Sequence, residues 1–281
     1  ILAASSSSFL WNKTWSPYDM IMISLSSSRI ILQPWTILDS VLFIFSEHFF
    51  VEENLLVVIK TAYVFLTYSS LWFGAWLSVF YCIKIASFAH SFFIWLKQRI
   101  ARLVPWMLLT SLLWSFTAAI PFIWDVNAVH SNLTAPLPMT NSSAMRTRRN
   151  GSLTLLIYLC NAGISLPLIL SVVSSLLLIQ SLCIHTRHMQ NNASGFRDPS
   201  LEAHMKAIKS VCSFLILYII YFIAFLFPLF NIFFTSSIAK PVCIVVMAAC
   251  PAVHSMVLIW SNPKFQELPA RIWHHSNCPV R

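Results

Sequence analysis

Arg29 is the residue of this chain whose position most strongly suggests chemistry. It lies deep in the apolar stretch DMIMISLSSSRIILQPW. A guanidinium is costly at that depth in an apolar helix, so it should face a bundle interior and find carbonyl, hydroxyl or aromatic partners. It is either a structural hydrogen-bond hub or a site or switch residue, and the sequence leaves both open. His254, which follows Pro251 closely, could be a ligand or a proton carrier, although a lone histidine more often serves structure.

No motif of a common enzyme class or metal site is present in the sequence. There is no HExxH, no GxSxG and no Gly-rich phosphate loop, and the chain has only 4 glycines. None of the 7 cysteines forms a CxxC pair, and no paired carboxylates occur at membrane depth. We therefore expect a protein that is not an enzyme and that carries no metal and no cofactor.

The elements that position these residues are apolar segments of membrane-crossing length. Of the 281 residues, 58% are hydrophobic and 10% are charged, whereas a soluble domain has about 45–50% and about 25%. Continuous rather than alternating hydrophobicity favours helices over a barrel. The sequence predicts an all-α fold, a polytopic membrane helical bundle. Its six apolar segments cover residues 18–45, 55–87, 103–124, 153–183, 208–234 and 241–260.

The basic residues predict the orientation of these segments. The net charge of +9 is spread over short connections rather than gathered on one face, so a nucleic-acid partner is not expected. Most lysines and arginines lie on the side that holds both ends of the chain, which should therefore be cytosolic. The connection at 126–152 would then be external, and it contains three glycosylation sequons, at Asn132, Asn141 and Asn150.

Five ordered blocks carry a resemblance to a known family. They are SPYDMIMISLSSSR, LWFGAWLSVFYCIKIASFAH, SLPLILSVVSSLLLIQSLCIHTRHM, DPSLEAHMKAIKSVCSFLILY and HSMVLIWSNPK. Together they resemble the bitter taste receptor family (taste receptor type 2) of G-protein-coupled receptors, over nearly the whole chain. That family has a seven-helix fold, so the six segments are similar to its second to seventh helices and the first is missing.

The resemblance implies a single transmembrane receptor domain over residues 1–281. Within it, residues 1–15 would be a remnant of the first helix and first inner loop, and 126–152 the glycosylated outer loop. Residues 184–207 would form the third inner loop, and 263–281 the cytosolic tail.

The resemblance also implies roles for individual residues. Arg29 is similar to the arginine of the family's second helix, Pro167 to the proline of its fifth, and His254 with Ser255 to a pair in its seventh. With His204, which flanks the third inner loop, these residues would hold the inactive state or transmit activation. The residues that would face the G protein are Lys84, His185, Lys206 and Lys209.

In the family, small bitter compounds bind in the outer half of the bundle. The matching positions here are Tyr63, Thr67, Tyr221 and Ile244, and the spacing of Tyr63 and Thr67 places both on one helix face. Many members have tryptophan where Tyr63 stands and asparagine where Thr67 stands, so the ligand range stays open. Both tyrosines could instead be ordinary packing residues.

The partners implied by the resemblance are bitter compounds, a heterotrimeric G protein of the gustducin or inhibitory type, and the lipid bilayer of the plasma membrane. Assembly into homo- or hetero-oligomers is left open. One alternative is a small-molecule transporter or channel in which Arg29 binds a substrate anion. Another is a truncated receptor that does not signal.

Overall fold

The computed structural model describes residues 1, 2, 5, 16–45, 53–86, 91–134, 162–181, 184, 199–229 and 239–261. These residues contain six long helices and no strand, which confirms the predicted all-α bundle. We number the helices α1 (Pro17–Phe45), α2 (Glu53–Ile85), α3 (Ser91–Thr134), α4 (Ala162–Ser181), α5 (Pro199–Leu229) and α6 (Ala239–Ser261).

Five of the helices, α2 to α6, contain a described stretch long and apolar enough to cross a membrane. Helix α1 has 29 residues, which gives it a length of about 43 Å at 1.5 Å per residue. A bilayer with its headgroups is about 40–45 Å thick, so α1 has the length of a crossing but lacks a described stretch as apolar as those of the other five helices. The chain is a multi-pass membrane protein.

Helix α3 begins well before the apolar segment that the sequence predicted at 103–124. Its first turns, SFFIWLKQRIAR, place apolar residues at helical spacing and contain no proline or glycine. Charged residues in such turns can still reach the interface, so a helix forms although the hydropathy is low. The same helix continues to Thr134, and Asn132 of the first sequon therefore lies in its final turn.

Helix α2 lies at the centre of the bundle. In its apolar stretch 61% of the residues are buried, compared with 17% in that of α6. Three clusters of apolar side chains involve α2, and the two larger ones join it to most of the other helices. The first joins α1, α2, α3 and α6 through Ile21, Met22, Leu25, Phe73, Leu77, Phe80, Val104, Leu108 and Leu258. The second joins α2 to α6 through Tyr68, Leu71, Ala118, Ile164, Phe214, Tyr218, Tyr221 and Cys250.

Two glycines allow aromatic rings to press against neighbouring helices. A Cβ atom on Gly74 of α2 would lie 2.6 Å from the ring of Phe214 on α5. A Cβ atom on Gly163 of α4 would lie 2.6 Å from the ring of Tyr68 on α2. Small residues at membrane helix interfaces permit such close packing, because there is no strong hydrophobic force between helices in lipid.

Candidate functional site

Arg29 lies in a polar junction between α1 and α6. Its side chain is 7% exposed, and that of His254 is 2% exposed. The Nη1 group of Arg29 donates to Ser255 Oγ at 2.9 Å, and Nη2 lies 2.6 Å from Nδ1 of His254. A guanidinium can only donate, so Nδ1 accepts this bond and the neutral imidazole carries its proton on Nε2. The structure therefore brings together three residues that the resemblance placed in one functional group.

Further hydrogen bonds extend this junction along α6. Ser255 Oγ donates to the carbonyl of Pro251 at 2.9 Å while it accepts from Arg29. One turn after Arg29, the Nε2 group of Gln33 donates to the carbonyl of Ala248 at 3.3 Å. The α1–α6 contact is thus polar over about one turn of α1 and two turns of α6.

The charge of Arg29 is compensated by dipoles rather than by an acid. Among the residues that the structure describes, no carboxylate forms an ion pair with it. The Nε group of Arg29 and the Nε2 group of His254 are also buried without a hydrogen-bond partner in this part of the chain. A buried polar group that is only partly satisfied is costly. The orientation of the guanidinium therefore depends on just two acceptors, both on α6.

A row of aromatic rings extends from this junction along α5 to Tyr221. The rings of His254 and Phe214 have centroids 4.7 Å apart, and those of Phe214 and Tyr218 are 5.5 Å apart. Tyr218 also meets Tyr221 edge to face at 6.5 Å. The Tyr218 hydroxyl donates to the carbonyl of Ile164 at 2.7 Å, which ties α5 to α4.

The candidate ligand-binding residues adjoin the end of this row. Tyr221 is buried, and it lies close enough to Tyr63 and Tyr68 for electrostatic interaction. Thr67 is buried one turn from Tyr63, and its hydroxyl has no hydrogen-bond partner among the described residues. Ile244 lies half-buried on α6, about 15 Å along the helix axis from His254. The structure therefore groups Tyr68 with Tyr221, and Tyr63 lies little more than one turn from Tyr68 along α2.

The other predicted residues are less closely grouped. Pro167 is fully buried in α4 and accepts a hydrogen bond from Ser171 through its carbonyl. Lys84 is exposed, with its ammonium 5.6 Å from the centroid of the Phe80 ring, and Lys209 is exposed on α5.

For the remaining predicted residues the structure gives little or no position. His204 and Lys206 lie in α5, Asn132 lies in α3, and their side chains are not described. His185, Asn141 and Asn150 fall outside the described residues.

Sequence reasoning missed Gly74, Phe214 and Tyr218. These residues connect the Arg29 junction to the tyrosines of the candidate ligand site. A faint signal exists, because Gly74 is one of only 4 glycines in the chain. The spacing of four between Phe214 and Tyr218 also places both rings on one face of α5. Neither pattern identifies the helix opposite, so the contact itself could not be predicted.

Comparison with known proteins identifies the family. The model of the taste receptor protein (TAS2R) family matches residues 1–276. Taste receptor type 2 member 40 of Gallus gallus is 57% identical over 281 residues, which are 100% of this chain and 90% of that protein. Member 39 of Homo sapiens is 39% identical over 263 residues, 94% of this chain and 78% of that protein.

A more distant relative shows the same family. Taste receptor type 2 member 41 of Rattus norvegicus is 34% identical over 268 residues, 95% of this chain and 86% of that protein. These are receptors rather than enzymes, which confirms the prediction that this chain is not an enzyme. The described residues form six helices with a buried arginine junction, and the family match covers almost the whole chain. The chain belongs to the taste receptor protein (TAS2R) family.

Proposed function

We propose that this chain is a bitter taste receptor that binds small bitter compounds and activates a heterotrimeric G protein of the gustducin or inhibitory type. The ligand would bind between the outer halves of α2, α4, α5 and α6. The single observation that carries this proposal is the row of ring contacts that runs from Tyr221 to the Arg29 junction.

The tyrosine group has the chemistry of a small-molecule site. Such sites are mostly apolar and aromatic, with a few polar groups that orient the ligand. Here the aromatic walls come from Tyr63, Tyr68 and Tyr221, and the unpartnered hydroxyl of Thr67 offers a hydrogen bond. A compact, largely apolar compound with one or two polar atoms fits this combination.

The aromatic row provides a route from ligand to switch. A ligand that displaces Tyr221 would also move Tyr218 and Phe214, because their rings are in contact. Phe214 packs on His254, which accepts the hydrogen bond of Arg29. In this mechanism an agonist favours a second arrangement of α5 and α6 and shifts the population toward it.

The G protein would bind at the cytosolic end of the bundle. Lys84 and Lys209 are both exposed, and with His185 and Lys206 they would form a basic surface at that end. In this proposal the protein lies in the plasma membrane with its C-terminus in the cytosol. It also exposes Asn132, Asn141 and Asn150 to glycosylation on the outside.

Agonist-dependent nucleotide exchange tests the whole proposal. We expect that a panel of bitter compounds will include at least one that stimulates exchange on a gustducin or inhibitory G protein. The assay is run on this chain and on a version extended with the flanking sequence of the Gallus gallus relative. If neither version stimulates nucleotide exchange although surface protein is confirmed, the proposal is wrong. Transport of a compound without any G-protein response would favour the transporter.

Substitution of the two grouped tyrosines tests the binding site. Alanine at Tyr63 or Tyr221 is expected to raise the half-maximal agonist concentration at least about tenfold, because aromatic packing and a polar contact are lost. Tyr221→Phe should retain most of the packing and show a smaller change. Concentration–response curves at matched surface level would measure both effects.

A lipid-facing aromatic residue provides the control for these variants. Phe116 is 60% exposed on α3, so Phe116→Ala should leave agonist potency unchanged. Equal loss for chemically unrelated agonists, together with loss of surface protein, would show instead that Tyr63 and Tyr221 are packing residues.

A further inference from the structure

Helix α3 carries a continuous stripe of exposed residues along one side, which we call the α3 stripe. At about 100° per residue, its members fall within a sector of about 80°. They are Trp95, Arg99, Arg102, Trp106, Leu109 and Leu113, and all are exposed. The apolar members are well exposed, from 45% for Trp95 to 66% for Trp106.

The opposite side of α3 is packed against the bundle. Phe93 contacts a cluster that includes Cys82 and Leu178, and Ile100 packs against the cluster that contains Val104. Because these contacts lie on the side of α3 away from the stripe, the α3 stripe faces out of the bundle. In a membrane protein that direction leads to lipid.

The two arginines of the stripe are not neutralised by acids. The guanidinium of Arg99 lies 5.3 Å from the ring centroid of Trp95, a cation–π contact that leaves its positive charge in place. Within the described ranges, no carboxylate pairs with Arg99 or Arg102. Two adjacent positive charges therefore face outward on successive turns of one helix.

The stripe covers about 27 Å of α3, so it extends from the headgroup layer well into the hydrocarbon. The apolar stretch of α3, Phe93–Pro121, has 29 residues and a length of about 43 Å, close to the thickness of a bilayer with its headgroups. Arginine side chains near a helix end extend back toward the interface, and tryptophan is enriched there. After Arg102 along the chain, the stripe becomes apolar, at Trp106, Leu109 and Leu113.

We propose that the α3 stripe is a binding site for an anionic phospholipid of the cytosolic leaflet. The headgroup phosphate and carboxylate would bind Arg99 and Arg102, and an acyl chain would lie along Leu109 and Leu113. The continuity of the charged and apolar parts favours a phospholipid over a soluble anion, which would use only the arginines. The site does not depend on agonist binding or on coupling.

Lipid retention measured by native mass spectrometry tests this site. The purified full chain is mixed with phosphatidylserine or phosphatidylcholine, and bound lipid is counted. We expect the unmodified protein to prefer phosphatidylserine, and Arg99→Gln with Arg102→Gln to weaken that binding about thirtyfold. Both residues are exposed, so the double variant should unfold at the same temperature as the unmodified protein in phosphatidylcholine.

A matched control separates this site from net charge. Lys97→Gln with Lys60→Gln removes the same charge, but Lys97 lies on α3 well away from the stripe and Lys60 lies on α2. This control should bind phosphatidylserine like the unmodified protein. Equal weakening in both double variants, or equal binding of the two lipids by the unmodified protein, would overturn the proposal.

Two further measurements exclude other occupants. Glycerophosphoserine, which has the headgroup without acyl chains, should not displace phosphatidylserine at equal concentration; if it does, the site binds soluble anions and the proposal fails. In membranes of phosphatidylcholine alone, the Arg99→Gln, Arg102→Gln variant should support normal nucleotide exchange. A loss of exchange there would assign the stripe to the G protein instead.

Discussion

Replacement of Arg29 by alanine is expected to lower the free energy of unfolding by about 3 kcal/mol. The variant removes hydrogen bonds from a charged donor to Ser255 and His254, each worth about 1.5–3 kcal/mol. The net decrease in the free energy of unfolding is smaller than the sum of these bonds, because a buried cation without an acidic partner is itself costly. Denaturant or thermal unfolding of the purified protein would measure the difference.

Gln33 provides the control for this prediction. It lies one turn from Arg29 and donates to Ala248 on the same partner helix, but it is neutral, so Gln33→Ala should cost only about 1 kcal/mol. A double-mutant cycle of Arg29→Ala with Ser255→Ala should give a coupling energy of at least about 1 kcal/mol. If Arg29→Ala and Gln33→Ala cost the same and the cycle of Arg29 with Ser255 is additive, the junction does not contribute the expected stability.

Arg29→Lys distinguishes the two roles that the sequence left open. Lysine keeps the charge, but its single ammonium cannot reproduce the forked contact with Ser255 and His254. If Arg29 only stabilises the fold, nucleotide exchange should fall in proportion to surface protein. We expect instead that the agonist response is lost at matched surface level, because in the proposed mechanism the junction is part of the switch.

Replacement of Gly74 by alanine is expected to destabilise the protein by about 1–2 kcal/mol. Alanine by itself favours a helix by about 1 kcal/mol, but its Cβ would lie 2.6 Å from the ring of Phe214. That ring cannot move freely, since it packs between His254 and Tyr218. Added volume in a packed core usually costs about 1–3 kcal/mol, so the clash should outweigh the helix preference. Thermal unfolding would measure the net effect.

A compensating substitution tests the physical cause. Phe214→Leu removes the ring that Gly74→Ala would meet, so the double variant should be more stable than the sum of the two single effects. Ala249→Val adds volume at an exposed position of α6 and should change stability little. A stabilising effect of Gly74→Ala alone would show that the Phe214 ring can move at no cost.

The sequence alone was sufficient to predict the class of fold, the order of its helices and the family. Inside a bilayer the backbone must satisfy its own hydrogen bonds, so a long apolar run forms a helix whatever its neighbours are. The predicted segment at 18–45 agrees closely with α1, Pro17–Phe45. The burial of Arg29 was also predictable, because the cost of a guanidinium in lipid depends only on its depth in the helix.

The tertiary structure decided which residues meet. That Arg29 donates to His254 and Ser255, which follow it by more than 220 positions in the chain, depends on the rotation and offset of α1 against α6. Those quantities follow from the packing of all helices at once, including the close approach at Gly74. The contact between Phe214 and His254, which connects the tyrosine group to the junction, has the same origin.

The start of α3 shows most clearly what the sequence determines and what the tertiary structure decides. Hydropathy placed Arg99 and Arg102 in a loop, because it registers the cost of a charge but not the face on which that charge lies. In the structure the helix begins at Ser91, and the packing of Phe93 and Ile100 against the bundle turns both arginines outward. The sequence thus determined the helices and their depth in the membrane, since these depend on local chemistry. Only the tertiary structure decided the direction of each side chain, since that depends on which neighbours a helix packs against.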